Sequence, residues 1–221
     1  MKSAVSPTQK TLNVWAVILI VWSVYRATFQ TSLPLWFDEL VAKPIVFLIP
    51  IYYYISLVEK QNFFKAIDLK LKGIPLDIAS AFGFGVVFFA VTFLANWLKV
   101  GSALPSSAQT FSVMSVSGAA ILALATSVSE EILSRGFVLK RLYLESKNRV
   151  SAVLFSSILF TFLHLPILLT SPKMTGILLL RVMLTDIIFS LIVSALFLVR
   201  KNLALPILIH ALYNLSIYLF I

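Results

Sequence analysis

Residues 112–139 read SVMSVSGAAILALATSVSEEILSRGFVL, and this stretch decides what kind of molecule the chain is. It exceeds the roughly 20 apolar residues that cross a bilayer core. Yet it carries two adjacent carboxylates, Glu130 and Glu131, and the guanidinium of Arg135. Charged side chains at the centre of a membrane helix cost about 2.5–3.5 kcal/mol each on insertion scales, so they persist where they are compensated or used. The preceding residues Ser115, Gly118, Ala119, Ala120, Ala123, Ala125, Ser127 and Ser129 are small. Small side chains let helices approach closely in lipid. The stretch is therefore expected in the middle of a bundle, leaving the lipid after Phe137, with both glutamates facing protein.

The rest of the chain has the same character. It is 60% hydrophobic over 221 residues with a mean hydropathy of +0.98, where soluble domains hold about 45–50% apolar residues. The expectation is an all-α, polytopic transmembrane helix bundle of about seven spans (six to eight). They lie near 11–29, 40–58, 76–98, 112–139, 151–169, 176–199 and 204–221. Lys2 and Lys10 precede the first apolar run as in a signal peptide, but no small-x-small cleavage site follows, so that run reads as a retained span. Residues 1–110 form an N-terminal part without recognisable motifs, and 111–221 form the part that carries them. In the first part no ionisable group is expected near mid-membrane. Asp38 and Glu39, beside Trp36 and Phe37, read as an interfacial loop with an aromatic belt. Residues 62–72 mix apolar and basic positions and suggest a short helix on the membrane surface, with a substrate gate as the alternative.

The net charge of +9 does not point to nucleic acid, because the basic residues are scattered through short loops. Twelve of the 18 fall on one side: Lys2, Lys10, Lys60, Lys65, Lys70, Lys72, Lys140, Arg141, Lys147, Arg149, Arg200 and Lys201. The opposite side has Arg26, Lys43, Lys99, Lys173 and Arg181. By the positive-inside rule the N-terminus is cytoplasmic and Ile221 lies on the far face. The expected location is a bacterial plasma membrane. The absence of cysteine rules out a disulfide, a thiol nucleophile or a thiolate-held metal.

The polar residues inside the spans form a constellation. Glu131 and Arg135 are four apart on one helical face in the favourable order, so Glu131 is expected to be ionised and structural. Glu130 points about 100° away and lacks a cation in its own helix, which leaves it as the more basic carboxylate and a candidate general base. The only histidines, His164 and His210, lie in two later spans. Phe160 sits one turn before His164 and can pack beneath its ring. His210 and Asn214 share a face and can present two donors to a developing oxyanion. At 1.5 Å per residue, Glu130 lies about 15 Å from Lys140, His164 about 22 Å from Arg149 and His210 about 14 Å from Lys201. The three therefore share one depth. Pro166 and Pro206 are expected to loosen the backbone near the histidines. Arg181 and Asp186 read as a structural pair.

Three motifs carry a resemblance: Glu130-Glu131-Ile-Leu-Ser-Arg135-Gly136, Phe160-Thr-Phe-Leu-His164 and His210-Ala-Leu-Tyr-Asn214. In this order they resemble the CAAX-protease and bacteriocin-processing (Abi) family of intramembrane endopeptidases, the type II CAAX prenyl proteases among them, over about residues 112–218. Ser134 departs from the bulky apolar residue usual before Arg-Gly. The resemblance implies hydrolysis of a peptide bond in a membrane-associated protein or peptide precursor. Glu130 with His164 would activate water, His210 with Asn214 would hold the oxyanion, and Glu131 with Arg135 would support the site. No cofactor is favoured. Zinc is the possible one, since Glu130, His164 and His210 make a sufficient ligand set with one position left for water, although no His-Glu-x-x-His helix is present. Two other readings use the same buried charges: a small proton-coupled transporter, for which no inverted repeat is visible, and a non-catalytic membrane scaffold or bacteriocin self-immunity protein.

Overall fold

The computed structural model describes residues 5–29, 33–100, 115–170 and 175–220. Lys2, Lys173, Ile221 and the first three residues of the span expected from 112 lie outside them. The described residues form α1 (Pro7–Phe29), α2 (Leu35–Val58), a single turn α3 (Phe63–Ala66), α4 (Ile74–Val100), α5 (Val116–Ser146), α6 (Arg149–Thr170), α7 (Gly176–Arg200) and α8 (Ala204–Phe220). No strand occurs among the described residues. Six helices are long and apolar enough to cross a membrane, and α8 is apolar but shorter. The all-α polytopic bundle expected from hydropathy is the observed fold.

Small residues put α5 at the centre. More than half of its apolar window is buried (56%), against 17–33% in the other five long helices, and α8 packs between α4 and α5. α6 packs against α7, α1 and the distal part of α5. From Ile132 to Leu139 the turns of α5 widen to an i→i+5 pattern, an irregularity frequent at functional sites. The widening begins one residue after Glu131. α2 is widened over Asp38–Ala42, Pro44–Leu48 and Tyr54–Val58. Pro44 and Pro50 contribute, since neither supplies an amide donor to the preceding turn.

Gly136 is required by close approach. A Cβ there would lie 2.9 Å from Ile67 Cβ and 3.2 Å from Leu203 Cδ2. Ala66 and Ile67 are buried against the bundle, while Asn62, Phe64, Lys65, Lys70, Leu71 and Lys72 are exposed, so the 62–72 segment lies on the bundle's surface with one side packed down, and only Phe63–Ala66 is helical. Polar contacts pin this segment. Arg141 grips Glu59 through Nε at 2.8 Å and Nη2 at 2.5 Å, Lys140 pairs with Asp68 at 2.8 Å, and Asn202 Nδ2 donates to Asp77 Oδ2 at 2.8 Å. Thr8 N donates to Glu145 Oε2 at 2.6 Å. These contacts gather the start of α1, the ends of α2, α5 and α7, and the starts of α4 and α8 at one end. Among the described residues, Lys65, Lys70, Lys140, Arg141, Arg200 and Lys201, which the sequence assigned to one side, take part in contacts at this end.

Four expectations are corrected. The N-terminal half does bury ionisable groups: Arg26, Asp38, Glu39, Lys43 and Asp77 are all buried. Asp38 and Glu39 lie inside helical α2 instead of an interfacial loop. Arg26 is paired with Asp38, which also accepts from Tyr25 Oη at 2.5 Å, so Arg26 and Lys43 are internal ion-pair partners and not markers of the outer surface. Pro206 falls in the first turn of α8, where a missing amide costs nothing, and the helix runs unbroken past His210.

Candidate active site

Helix α5 supplies the two carboxylates from its last regular turn, α6 supplies His164, and α8 supplies His210 one turn before Asn214. Glu130, Glu131 and His210 are buried, and His164 keeps about a quarter of its side chain exposed (24%). The shared depth inferred from helical rise is realised as contact. His164 Nε2 lies 3.5 Å and His210 Nε2 3.8 Å from Glu130 Oε2. Both rings are held from behind. His164 Nδ1 donates to the Phe160 carbonyl at 3.1 Å, a bond made within its own helix, and His210 Nδ1 donates to Glu131 Oε1 at 2.8 Å. Each Nδ1 is thereby committed, and each Nε2 is aimed at one oxygen. Phe160 packs against both rings, with centroids 4.7 Å from His164 and 5.9 Å from His210.

Glu131 and Arg135 form the ion pair that their spacing predicts, at 2.7 Å. The guanidinium also donates to Ser190 Oγ at 2.9 Å and sits 4.4 Å from the Phe160 ring centroid. One carboxylate oxygen, Glu131 Oε1, thus orders both Arg135 and His210. Asn214 is half-buried and its amide donates to Ser127 Oγ at 3.4 Å, across to α5. Ser134 is buried, and its hydroxyl has no hydrogen-bond partner among the described residues. Arg181 and Asp186 form no ion pair among the described residues.

Glu130 has no cation in its own helix, as expected, but the reading of two carboxylates sharing the single cation of Arg135 is corrected. Lys43, from α2, places Nζ 2.7 Å from Glu130 Oε1 and 2.6 Å from Glu39 Oε2. Glu39 in turn accepts from Thr126 Oγ1 at 2.6 Å. Sequence reasoning missed Lys43, Glu39 and Thr126. The available signal was the Glu39–Lys43 spacing within an apolar run, the same pattern that marked Glu131 and Arg135.

Glu130 Oε2, the oxygen facing both imidazoles, has no hydrogen-bond partner among the described residues. A cavity of about 20 Å³ borders this carboxylate, lined by Trp22, Lys43, Phe47, Glu130, Leu163 and His164. Holding one water takes about 10–15 Å³ together with polar partners, and Glu130, His164 and Lys43 are the polar residues that line the space. The pocket takes one water and little more.

Glu130, His164 and His210 have the donor types of a catalytic zinc set, and each Nδ1 has the acceptor that metal-bound histidines commonly keep. Among the described residues no three His, Cys, Asp or Glu side chains are set to hold a metal ion, and Lys43 already brings a positive charge to the same carboxylate.

Residues 112–216 match the family model for type II CAAX prenyl endopeptidase Rce1-like proteins. The matched segment holds all three motifs and ends two residues after Asn214. No curated protein and no solved structure matches the chain.

Proposed function

From its membership, through residues 112–216, of the Rce1-like type II CAAX prenyl endopeptidase family, we propose that this chain hydrolyses a peptide bond in a membrane-associated protein or peptide, with Glu130 and His164 activating the water. The observation that carries the reading is an unpartnered Glu130 oxygen facing His164 Nε2 at 3.5 Å, with a water-sized cavity bordered by the same two residues.

Water in that cavity gives a proton to the Glu130–His164 pair, and its oxygen adds to the scissile carbonyl carbon. The carbonyl oxygen becomes the oxyanion and is met by His210 Nε2–H and the Asn214 amide. His210 already donates through Nδ1 to Glu131, so donating through Nε2 requires the doubly protonated ring. Glu131 supplies the counter-charge. Asn214 spends one amide hydrogen on Ser127 and keeps the other. Collapse of the tetrahedral intermediate breaks the C–N bond, and the proton taken from water passes to the leaving amine. None of these steps runs through a metal. The basic end of the bundle, with the N-terminus, faces the cytoplasm in this reading.

The test compares C-terminal peptides in membranes of cells that carry the wild type, Glu130→Gln or His164→Ala at equal protein levels. Fragments that accumulate only with the wild type are the expected result, each substitution lowering turnover by about 10²–10⁴-fold. A scaffold or self-immunity protein would tolerate both changes.

A further inference from the structure

We infer that Lys43, which lies outside the family-matched segment, is a positioning residue for Glu130 and that α2 is therefore part of the catalytic unit. The inference deepens the reading above and rests on it.

A buried carboxylate has two oxygens to satisfy, and what each one meets decides which way the group faces. In this site the two differ. Glu130 Oε1 accepts from Lys43 Nζ at 2.7 Å, while Oε2 has no hydrogen-bond partner among the described residues and faces His164 and His210. The ammonium thus holds one oxygen and leaves the other facing the two imidazoles. Without it, Oε1 becomes a buried acceptor with nothing to accept from, a condition proteins avoid. The nearest remaining donors are the two imidazoles. The carboxylate would then turn onto them and close the space where water sits.

Lys43 has little freedom of its own. Its Nζ is fixed on the other side by Glu39 at 2.6 Å. Glu39 is held by Thr126, whose hydroxyl also bonds the Leu122 carbonyl at 2.9 Å. The Trp22 ring centroid lies 5.9 Å from the ammonium, and Trp22 and Phe47 wall the cavity beside it. The relay from Thr126 through Glu39 and Lys43 to Glu130 begins and ends on α5 and passes through α2. Its effect is to set the distance between these two helices at the depth of the reaction.

The experiment uses the full chain in proteoliposomes with a quenched fluorescent peptide ending in a farnesylated CAAX sequence, and compares Lys43→Gln, Lys43→Arg and Glu130→Gln. Lys43→Gln is expected to lower kcat about 100-fold, the loss typical of a misplaced catalytic group, with KM unchanged. Lys43→Arg, which keeps the charge, is expected to recover most of it. Thermal unfolding of Lys43→Gln, Glu130→Gln and the double variant gives a readout independent of turnover, in which the double variant should be more stable than the two single losses combined would allow. Wild-type kcat in Lys43→Gln alongside an inactive Glu130→Gln overturns the role of Lys43 and leaves the proposed function intact. Additive thermal losses overturn it as well. A Glu130→Gln variant as active as the wild type refutes the proposed function, and the role of Lys43 with it.

Discussion

Replacing Glu131 by glutamine tests how the site is held together. The side chain is fully buried, and its Oε1 accepts from Arg135 Nη1 at 2.7 Å and from His210 Nδ1 at 2.8 Å. An amide oxygen can accept both bonds in the same shape, so packing is kept. What disappears is the negative charge opposite a guanidinium that is itself only 1% exposed. Removing one partner of a buried ion pair costs about 3–5 kcal/mol. Arg135 keeps its bond to Ser190 Oγ and its place over the Phe160 ring, an aromatic contact worth about 0.5–2 kcal/mol. The loss should therefore sit near the lower limit, at about 3 kcal/mol. For a chain of this size, about 2–4 °C per kcal/mol makes that a fall of roughly 6–12 °C in Tm. Thermal unfolding of the purified protein in one detergent at one pH measures it. Arg135→Gln should lose a similar amount, and the double variant should lose less than the two single losses combined, since the interaction between the pair is then removed only once. An unchanged Tm in Glu131→Gln, or additive losses in the double variant, would refute the claim that this pair is a charge-balanced anchor.

Gly136→Ala places a methyl 2.9 Å from Ile67 Cβ and 3.2 Å from Leu203 Cδ2. Overpacking of this kind costs about 1–3 kcal/mol, and a lowered Tm with the 62–72 segment more open to protease is the expected outcome. Metal analysis of the purified protein, with hydrolysis of the farnesylated reporter measured before and after chelation, should show activity retained. Loss on chelation with recovery on adding zinc would reassign Glu130, His164 and His210 as metal ligands.

The spans were legible because lipid imposes a simple rule, long apolar runs between basic loops, and α1, α2 and α4 to α8 follow it with shifts of a few residues at their ends. The meeting of Glu130, His164 and His210 was legible for a related reason. Ionisable side chains are costly enough in a membrane that those at equal depth tend to share a pocket. Glu39 and Lys43 obey the same rule, but Trp36 and Phe37 beside them resembled an interfacial belt. Trp36 is indeed exposed, while Asp38 and Glu39 turn inward from the same helix. The contact of Lys43 with Glu130 spans 87 residues, and no helical spacing encodes a pairing between separate helices. The widened turns of α5 over Ile132–Leu139 contain no proline, so nothing in the residue pattern announced them. Pro206 was misread because a proline opening a helix and one interrupting it differ only in where the helix begins.

The charges also bear on where the functional unit ends. Within residues 112–216 alone, Glu131 has Arg135, but Glu130 has only imidazoles at 3.5 and 3.8 Å, beyond hydrogen-bond reach. A second carboxylate at this depth without a cation would be among the most expensive groups the bundle could bury. Lys43 removes that cost, but a lysine facing one carboxylate across a helix contact would be free to choose its geometry. Glu39 and Thr126 take that freedom away by holding the ammonium from its other side. A segment cut to the matched residues would lose the cation, its anchor and the Trp22 and Phe47 walls of the cavity together. The motifs supply the buried carboxylates and imidazoles, and the helices before them supply the cation and the enclosure that let those groups stay in a membrane with one Glu130 oxygen unpartnered.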